Sequence, residues 1–402
     1  MRIQFAPCGI GLGHVGRCVP IAKRLQETNG KAQILFSTYT DGIRLARQEG
    51  FPVAETPPVG FKVKPDGTVD FKQTVANPDL FFASFKVLRQ VDAEIRVMQH
   101  FKPDVVVSDT RVSPLIAARM LGIPRLCILN QFQVIIPRRT HFLRLAKFAD
   151  LIGLALIGKL WTTGLHVMIP DFPEPYTLAT GNLRIPKSYQ KRVKFIGPIM
   201  EKQEKDLPNQ KTLRKKLRLD ESKPLIFAPI SGPVKEKAYL IGLLRRIYRD
   251  FPEDYQIVMS LGYPNTSPSP VRHGNLSIYK WIPNRFEHLK TCDLVLSRAG
   301  HGTIAQSLSY GKPMILVPTP NHTEQHNNAK KATMLGVAEV LEQKDLTKET
   351  LLKKTERMLN DKEYLERSNT VKKEVAEIDG LENAVRIIRE VAERGWKNDG
   401  FS

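Results

Sequence analysis

Cysteine is scarce: Cys8, Cys18, Cys127 and Cys292 are the only four in 402 residues, and they fall at no metal-binding or redox spacing. That excludes a zinc finger and a disulfide framework, and the four read as small core residues or free thiols. Long apolar runs are missing too. No window reaches the roughly 18 to 20 apolar residues that a membrane span needs. The sequence has no Asp-x-Asp metal motif, no solenoid repeat, and no helix-turn-helix, zinc finger or aromatic-studded basic motif. Nucleic acid is therefore not expected as a partner. The start, Met1-Arg2-Ile3-Gln4-Phe5-Ala6, reads as a strand and not as a signal peptide, so a cytoplasmic protein is expected. Acidic residues are also in deficit, 41 against 61 Lys and Arg, for a net charge of +20. A basic balance of that size attracts anionic lipid or phosphorylated substrates.

What is present suits two soluble domains. The length exceeds one ordinary domain, and 42% hydrophobic with 8% aromatic residues is globular composition. Apolar strands alternate with amphipathic helices throughout, the pattern of parallel α/β sheets. The chain divides into a first domain over residues 1–198, a linker over 199–222, and a second domain over 223–378. The last helix, within residues 379–402, is expected to pack back on the first domain.

The most informative stretch runs from Ser297 to Ala329. A short strand, Leu294-Val295-Leu296, leads into Arg298-Ala299-Gly300-His301-Gly302-Thr303 and a helix to Tyr310. The next strand, from Met314, leads to Asn321-His322-Thr323-Glu324-Gln325. Two polar clusters thus sit at carboxyl ends of neighbouring parallel strands, where open α/β sheets bind ligands. Gly300 and Gly302 clear side chains from a helix start, exposing amides and the positive dipole end to a diphosphate. Arg298 adds a fork of donors beside them. Gln306 lies one turn in, within reach of a ribose, and Glu324 with Gln325 suits sugar hydroxyls. Ser231-Gly232, after the strand Pro224–Ala228, is a second small loop able to meet phosphate.

The first domain opens with a strand and then Gly9-Ile10-Gly11-Leu12-Gly13-His14. Gly11 and Gly13 permit a tight turn and close approach of a ligand, and His14 starts a helix facing the cleft. Asp109 ends the buried strand Asp104–Ser108, on the same edge as His14. A carboxylate bonded to one imidazole nitrogen orients the ring and stabilises its protonated form. Residues 57–77 read as a long loop near the site. Residues 140–161 read as an apolar wall, an interfacial helix or a core helix.

These motifs resemble the GT-B fold nucleotide-sugar glycosyltransferases. Within them the chain is similar to the group holding the bacterial enzyme that adds N-acetylglucosamine to the lipid-linked peptidoglycan precursor. The resemblance implies an α/β fold of two Rossmann-like doubly wound domains facing a central cleft. It implies that the main chain at Trp281 and Ile282 holds the nucleobase. Ser231-Gly232 and the Gly300–Thr303 turn would hold the diphosphate, with Arg298 supporting that loop. Glu324 and Gln325 would hold the sugar, and Asp109 would pair with the base His14. Two departures stand out: Gln306 replaces the usual ribose-binding glutamate, and Pro229-Ile230-Ser231-Gly232-Pro233 lacks the usual run of glycines.

The expected reaction is inverting transfer from a UDP-sugar, with no cofactor and no metal, to a hydroxyl on a lipid-linked or amphipathic acceptor. An anionic membrane surface is an expected partner, with peripheral location at the inner face of the cell membrane. The Gly-His turn also resembles hydrolases that release UDP from amino-sugar nucleotides, so hydrolysis, or epimerisation on the same fold, is the enzymatic alternative. The non-enzymatic one is a lipid- or nucleic-acid-binding protein on a transferase scaffold.

Overall fold

A computed structural model describes residues 1–58, 79–130, 161, 166–183, 185, 187–263 and 266–394. It contains two seven-stranded sheets. The first has the order β3-β2-β1-β4-β5-β6-β7. Its strands are β1 (Arg2–Pro7), β2 (Gln33–Thr38), β3 (Val53–Glu55), β4 (Val105–Asp109), β5 (Arg125–Ile128), β6 (Val167–Ile169) and β7 (Val193–Phe195). The second has the order β10-β11-β9-β8-β12-β13-β14. It is built from β8 (Leu225–Pro229), β9 (Gln256–Ser260), β10 (Val271–His273), β11 (Leu276–Tyr279), β12 (Leu294–Ser297), β13 (Met314–Leu316) and β14 (Ala338–Val340). Among the described residues every pairing is parallel except β10 with β11. Parallel sheets covered on both faces need strands that are apolar throughout, and Val105, Val106 and Val107 of β4 are each fully buried.

Each sheet has one point where strand order reverses, between β1 and β4 and between β8 and β12. Chains leaving those neighbours turn opposite ways, which opens a crevice at their carboxyl ends. In the first sheet Pro7 pairs with Asp109, so the turn after β1 begins beside the last residue of β4. In the second, Leu294 pairs with Ile226 and Val295 with Phe227, bringing the turns after β8 and β12 together.

Helix α1 (Gly13–Thr28) covers the first sheet with Val15, Cys18, Val19, Ile21, Ala22 and Leu25 buried along one face. Further on come α2 (Asp41–Gln48), α3 (Asp79–Phe101), α4 (Ser113–Met120), α5 (Thr180–Leu183), α6 (Gln210–Lys216), α7 (Val234–Arg249) and α8 (Arg285–Thr291). The chain ends with α9 (His301–Ser309), α10 (Thr323–Met334), α11 (Lys348–Asn360), α12 (Lys362–Glu374) and α13 (Gly380–Arg394). Helix α13 lies on the first sheet, where Ala384, Val385, Ile388 and Val391 share a core with Ile3, Phe5, Ile21 and Leu25.

The return of α13 depends on two glycines. Gly197 has φ +90, and a Cβ there would stand 2.3 Å from Ile378 Cγ2. A Cβ on Gly380 would stand 2.2 Å from the Gly197 carbonyl oxygen. The contact is backbone against backbone and leaves no flexible atom to give way. Gly380→Ala is therefore expected to cost about 1–3 kcal/mol, read as a lower Tm with unchanged nucleotide affinity.

Two parts of the chain do not divide as the sequence suggests. Residues 199–222 are not all linker. Asn209 caps α6 by accepting from Thr212 N at 2.9 Å, and α6 packs on the second lobe. Its Arg214 is buried and donates to the carbonyls of Asp220, Lys223 and Thr291 and to Asp293. Conversely Phe172 and Leu178, between β6 and β7, are buried in the second lobe's core with Phe227 and Ile282. The loop read over residues 57–77 lies outside the described residues apart from Pro57 and Pro58. So does the apolar stretch 140–161, apart from Trp161, which is buried and donates its indole N–H to the Thr110 carbonyl at 3.1 Å. Among the described residues no helix is long and apolar enough to cross a membrane.

Candidate active site

On the first lobe, Cys8 N donates to the Asp109 carbonyl at 3.1 Å, and the chain then turns through Gly9–Leu12 into α1. Gly11 takes φ +68, a left-handed conformation that favours glycine. No side chain caps α1, and His14 is its second residue.

His14 Nδ1 lies 2.7 Å from Asp109 Oδ1. The Asp109 side chain is fully buried, and that of His14 is 23% exposed. Asp109 is not held by the imidazole alone. Arg17, one turn along α1, donates Nε to Oδ2 and Nη2 to Oδ1, both at 2.5 Å, and its Nη2 is 3.1 Å from His14 Nδ1. Thr110, in the left-handed region at φ 66, donates its hydroxyl to Oδ1 at 2.9 Å. Burial by itself would raise the Asp109 carboxyl, but Arg17 and His14 outweigh it and hold the group well below the ordinary carboxylate range. Burial likewise pulls the Arg17 guanidinium down, and Asp109 more than restores it. An ionised Asp109 accepts from Nδ1–H, which fixes the tautomer and leaves Nε2 as the basic nitrogen. Among the described residues Nε2 has no protein partner.

Sequence reasoning did not assign Arg17 a role, although its i+3 spacing from His14 places both on one face of α1. Nothing local shows that they converge on a carboxylate 92 residues away from the arginine.

On the second lobe, Ala299 leaves β12 with φ 59, a strained conformation for a non-glycine residue, held where Asn328 Nδ2 donates to its carbonyl at 3.3 Å. Gly300 then begins α9, which no side chain caps. The first amides of a helix have no intrahelical partner and carry the positive end of its dipole. A Cβ built on Gly300 or on Gly302 meets nothing within 4 Å, nor does one on Gly13 or Gly232. All four glycines therefore border open space. Ser231 is exposed beside Gly232, Thr303 and Gln306 are partly buried on α9, and Thr303 N donates to the Gly300 carbonyl at 3.1 Å.

One expectation needs correction. Arg298 does not offer its fork to a ligand. It is 4% exposed and donates to Thr319 Oγ1 at 2.8 Å, Gln343 Oε1 at 3.0 Å and the Glu236 carbonyl at 2.5 Å. Burial lowers its guanidinium to about 10. It ties together the turns around α7, β12 and β13, so it shapes the site from behind. The His301 side chain also turns away from the open helix start. It is 6% exposed, with Nε2 3.0 Å from Asp171 Oδ2 but not aligned as a hydrogen bond. Only its backbone amide is available at the helix start. Strand β11 stops at Tyr279, short of Trp281 and Ile282. They lie in the turn beyond it, where main-chain groups are not committed to a ladder.

The two lobes face each other across these turns. The Gly11 Cβ position is 3.5 Å from Pro233 Cδ, and Trp281 packs against the first-lobe core. Glu324, at the start of α10, accepts from Asn130 Nδ2 at 3.0 Å, and Asn130 follows β5. Glu324 is also close enough to Arg17 to favour its charged form. Gln325 Oε1 accepts from Thr319 N at 2.8 Å, which pins the loop before α10. One crevice thus holds the His14–Asp109–Arg17 cluster on one wall and the open α9 start with Glu324 on the other.

Residues 235–382 match the glycosyltransferase family 28 C-terminal domain. The chain has the GT-B fold, and its second lobe matches a glycosyltransferase domain. An uncharacterised glycosyltransferase of Methanosarcina mazei is 25% identical over 398 residues, covering 98% of both chains. A Bacillus cereus protein, UDP-N-acetylglucosamine--N-acetylmuramyl-(pentapeptide) pyrophosphoryl-undecaprenol N-acetylglucosamine transferase 1, is 26% identical over 97% of this chain and 98% of its own. Among solved structures, the kitacinnamycin glycotransferase shares the fold with a TM-score of 0.65 at 16% identity, over 97% of this chain and 98% of that one. The glycosyltransferase matches reach from end to end, so the α1 turn and the α9 turn both belong to the shared architecture.

Proposed function

We propose that this GT-B glycosyltransferase moves a sugar from a UDP-sugar to a hydroxyl acceptor by single displacement with inversion. The observation that carries the reading is the His14 imidazole. Its Nδ1 is engaged by a buried, ionised Asp109, and among the described residues its Nε2 has no partner beside a crevice whose far wall is an uncapped helix start.

In this mechanism His14 Nε2 takes the proton of the acceptor hydroxyl as the oxygen bonds to the anomeric carbon. The bond from that carbon to the β-phosphate oxygen breaks on the opposite face, and UDP leaves with the electron pair. The charge growing on the diphosphate meets the amides and dipole of α9 between Gly300 and Thr303. The turn at Ser231-Gly232 bears on the same group. The imidazolium that forms is stabilised by Asp109, and no cofactor or metal enters a step. Main-chain groups at Trp281 and Ile282 face the base, Gln306 the ribose, and Glu324 with the Gln325 amide the sugar hydroxyls.

UDP as nucleotide and a lipid-linked or amphipathic acceptor are supported by the name of the Bacillus cereus relative and by the net charge of +20. Attachment to the inner face of the cell membrane rests on the same two observations. The experiment is a screen of UDP, GDP, TDP and CMP sugars by thermal shift, followed by product analysis. The proposal expects a UDP-selective shift and a glycoside of opposite anomeric configuration. Release of free sugar at the same rate with and without acceptor would favour hydrolysis instead.

Gly302 gives a second test. Alanine is a better helix residue than glycine by about 1 kcal/mol, and nothing lies within 4 Å of its Cβ position. Gly302→Ala is expected to raise Tm slightly. Its methyl would stand over the amides assigned to the diphosphate, so UDP binds at least tenfold more weakly by calorimetry. Unchanged affinity would remove α9 from the donor site.

A further inference from the structure

A cavity of about 350 Å³ lies between the lobes beside the donor crevice, lined by Arg44 and Asp41 of α2 and by Lys237, Tyr263, Thr266 and Lys280 of the second lobe. That volume is at the lower end of the range for small-molecule sites, about 300–1,000 Å³. Three cations face one carboxylate, and Asp41 is already engaged, accepting from Gly11 N at 3.3 Å. The cavity also receives the start of α7, where Gly232 and Val234 line it and no side chain caps the helix. Lys237 is the least expected member: a lysine 2% exposed as a residue, with Nζ donating to the Gly262 carbonyl at 2.5 Å and seated 4.1 Å over the Tyr263 ring. No carboxylate pairs with it in an ion bridge among the described residues. Burial pushes its ammonium down to about 8, a cost that an anion in the cavity would offset.

We propose that this cavity is an oxyanion site separate from the donor diphosphate site, taking a phosphate-type group between Lys237, Lys280 and Arg44, with Tyr263 and Thr266 bordering it. Two ammonium groups and a guanidinium supply the charge. The ligand bridges the lobes, because Arg44 and Asp41 come from one and the remaining groups from the other. Leu12 and Gly232 line the cavity and also belong to the turns of the crevice, so the anion sits beside the acceptor's approach to His14. The shared chemistry fits either a phosphate substituent carried by the acceptor or a free phosphate. The acceptor assignment rests on the function proposed above; the anion site does not.

The test is calorimetric titration with inorganic pyrophosphate, with and without saturating UDP. The proposal expects saturable pyrophosphate binding that persists when UDP is bound. Lys280→Glu with Arg44→Glu, both exposed positions, weakens it at least tenfold and leaves UDP affinity within threefold. Lys237→Met weakens it to the same degree, and the exposed pair keeps the test readable should that variant fold poorly. Pyrophosphate binding abolished by UDP, or unchanged in the charge-reversed variant, would overturn the site. Failure of UDP itself to bind would count against the donor assignment alone, since pyrophosphate is read independently. Tighter binding of glucose 6-phosphate than of inorganic phosphate assigns the group to an organic acceptor, and equal binding assigns it to a free anion.

Discussion

His14→Ala is expected to lower kcat by about 100- to 10,000-fold, with UDP affinity and Tm near those of the wild type. The rate is affected because Asp109 holds Nδ1 and leaves Nε2 as the basic nitrogen, without a partner among the described residues. The fold is spared because the imidazole is partly exposed, and its loss leaves Asp109 still bound to both Arg17 and Thr110. Donor affinity is spared because the groups proposed to hold the nucleotide and its diphosphate lie on the second lobe. Steady-state kinetics beside UDP calorimetry checks all three. A variant that keeps more than a tenth of the wild-type rate would exclude His14 as the general base.

The second large effect is on Asp109, and it separates structure from catalysis. Asp109→Asn keeps the shape but removes the counter-ion of Arg17, whose side chain is 14% exposed. Breaking a buried pair from one side costs about 3–5 kcal/mol. Removing the arginine as well relieves that cost, so Asp109→Asn with Arg17→Met is expected to recover much of the stability. It should not recover the rate, because the asparagine cannot stabilise the imidazolium. Denaturation of the single and double variants measures the coupling. The pH dependence has a definite sign. The folded Asp109 carboxyl lies below its unfolded value of about 3.9, so the ion pair's contribution is present above that pH. It is lost as pH falls below about 4, and that acid-labile component should be missing from Asp109→Asn.

Much of the architecture was readable because its signals are local. Val105-Val106-Val107 ending at Asp109, the Gly11–Gly13 turn with His14, and the Gly300–Gly302 turn all show strand, turn and helix within a dozen residues. What was misread depends on distant partners. Arg298 beside two glycines looks like an anion ligand, yet its acceptors belong to Thr319, Gln343 and Glu236, on three other segments. Residues 210–216 looked like linker because the apolar face is short. Arg214, with carbonyl and carboxylate acceptors up to 79 residues away, fixes that helix to the second lobe. Lys237 shows nothing in the sequence, because its cavity exists only where the lobes meet. Asn130 follows an apolar strand, but its pairing with Glu324 spans 194 residues.

In the proposed mechanism one crevice brings a nucleotide diphosphate on the α9 start opposite His14. A crystal structure with UDP bound measures this directly. Diphosphate oxygens are expected within hydrogen-bond distance of backbone amides between Gly300 and Thr303, with His14 Nε2 facing the vacant sugar position. A diphosphate seated away from those amides, or a His14 ring turned from the β-phosphate, would contradict it.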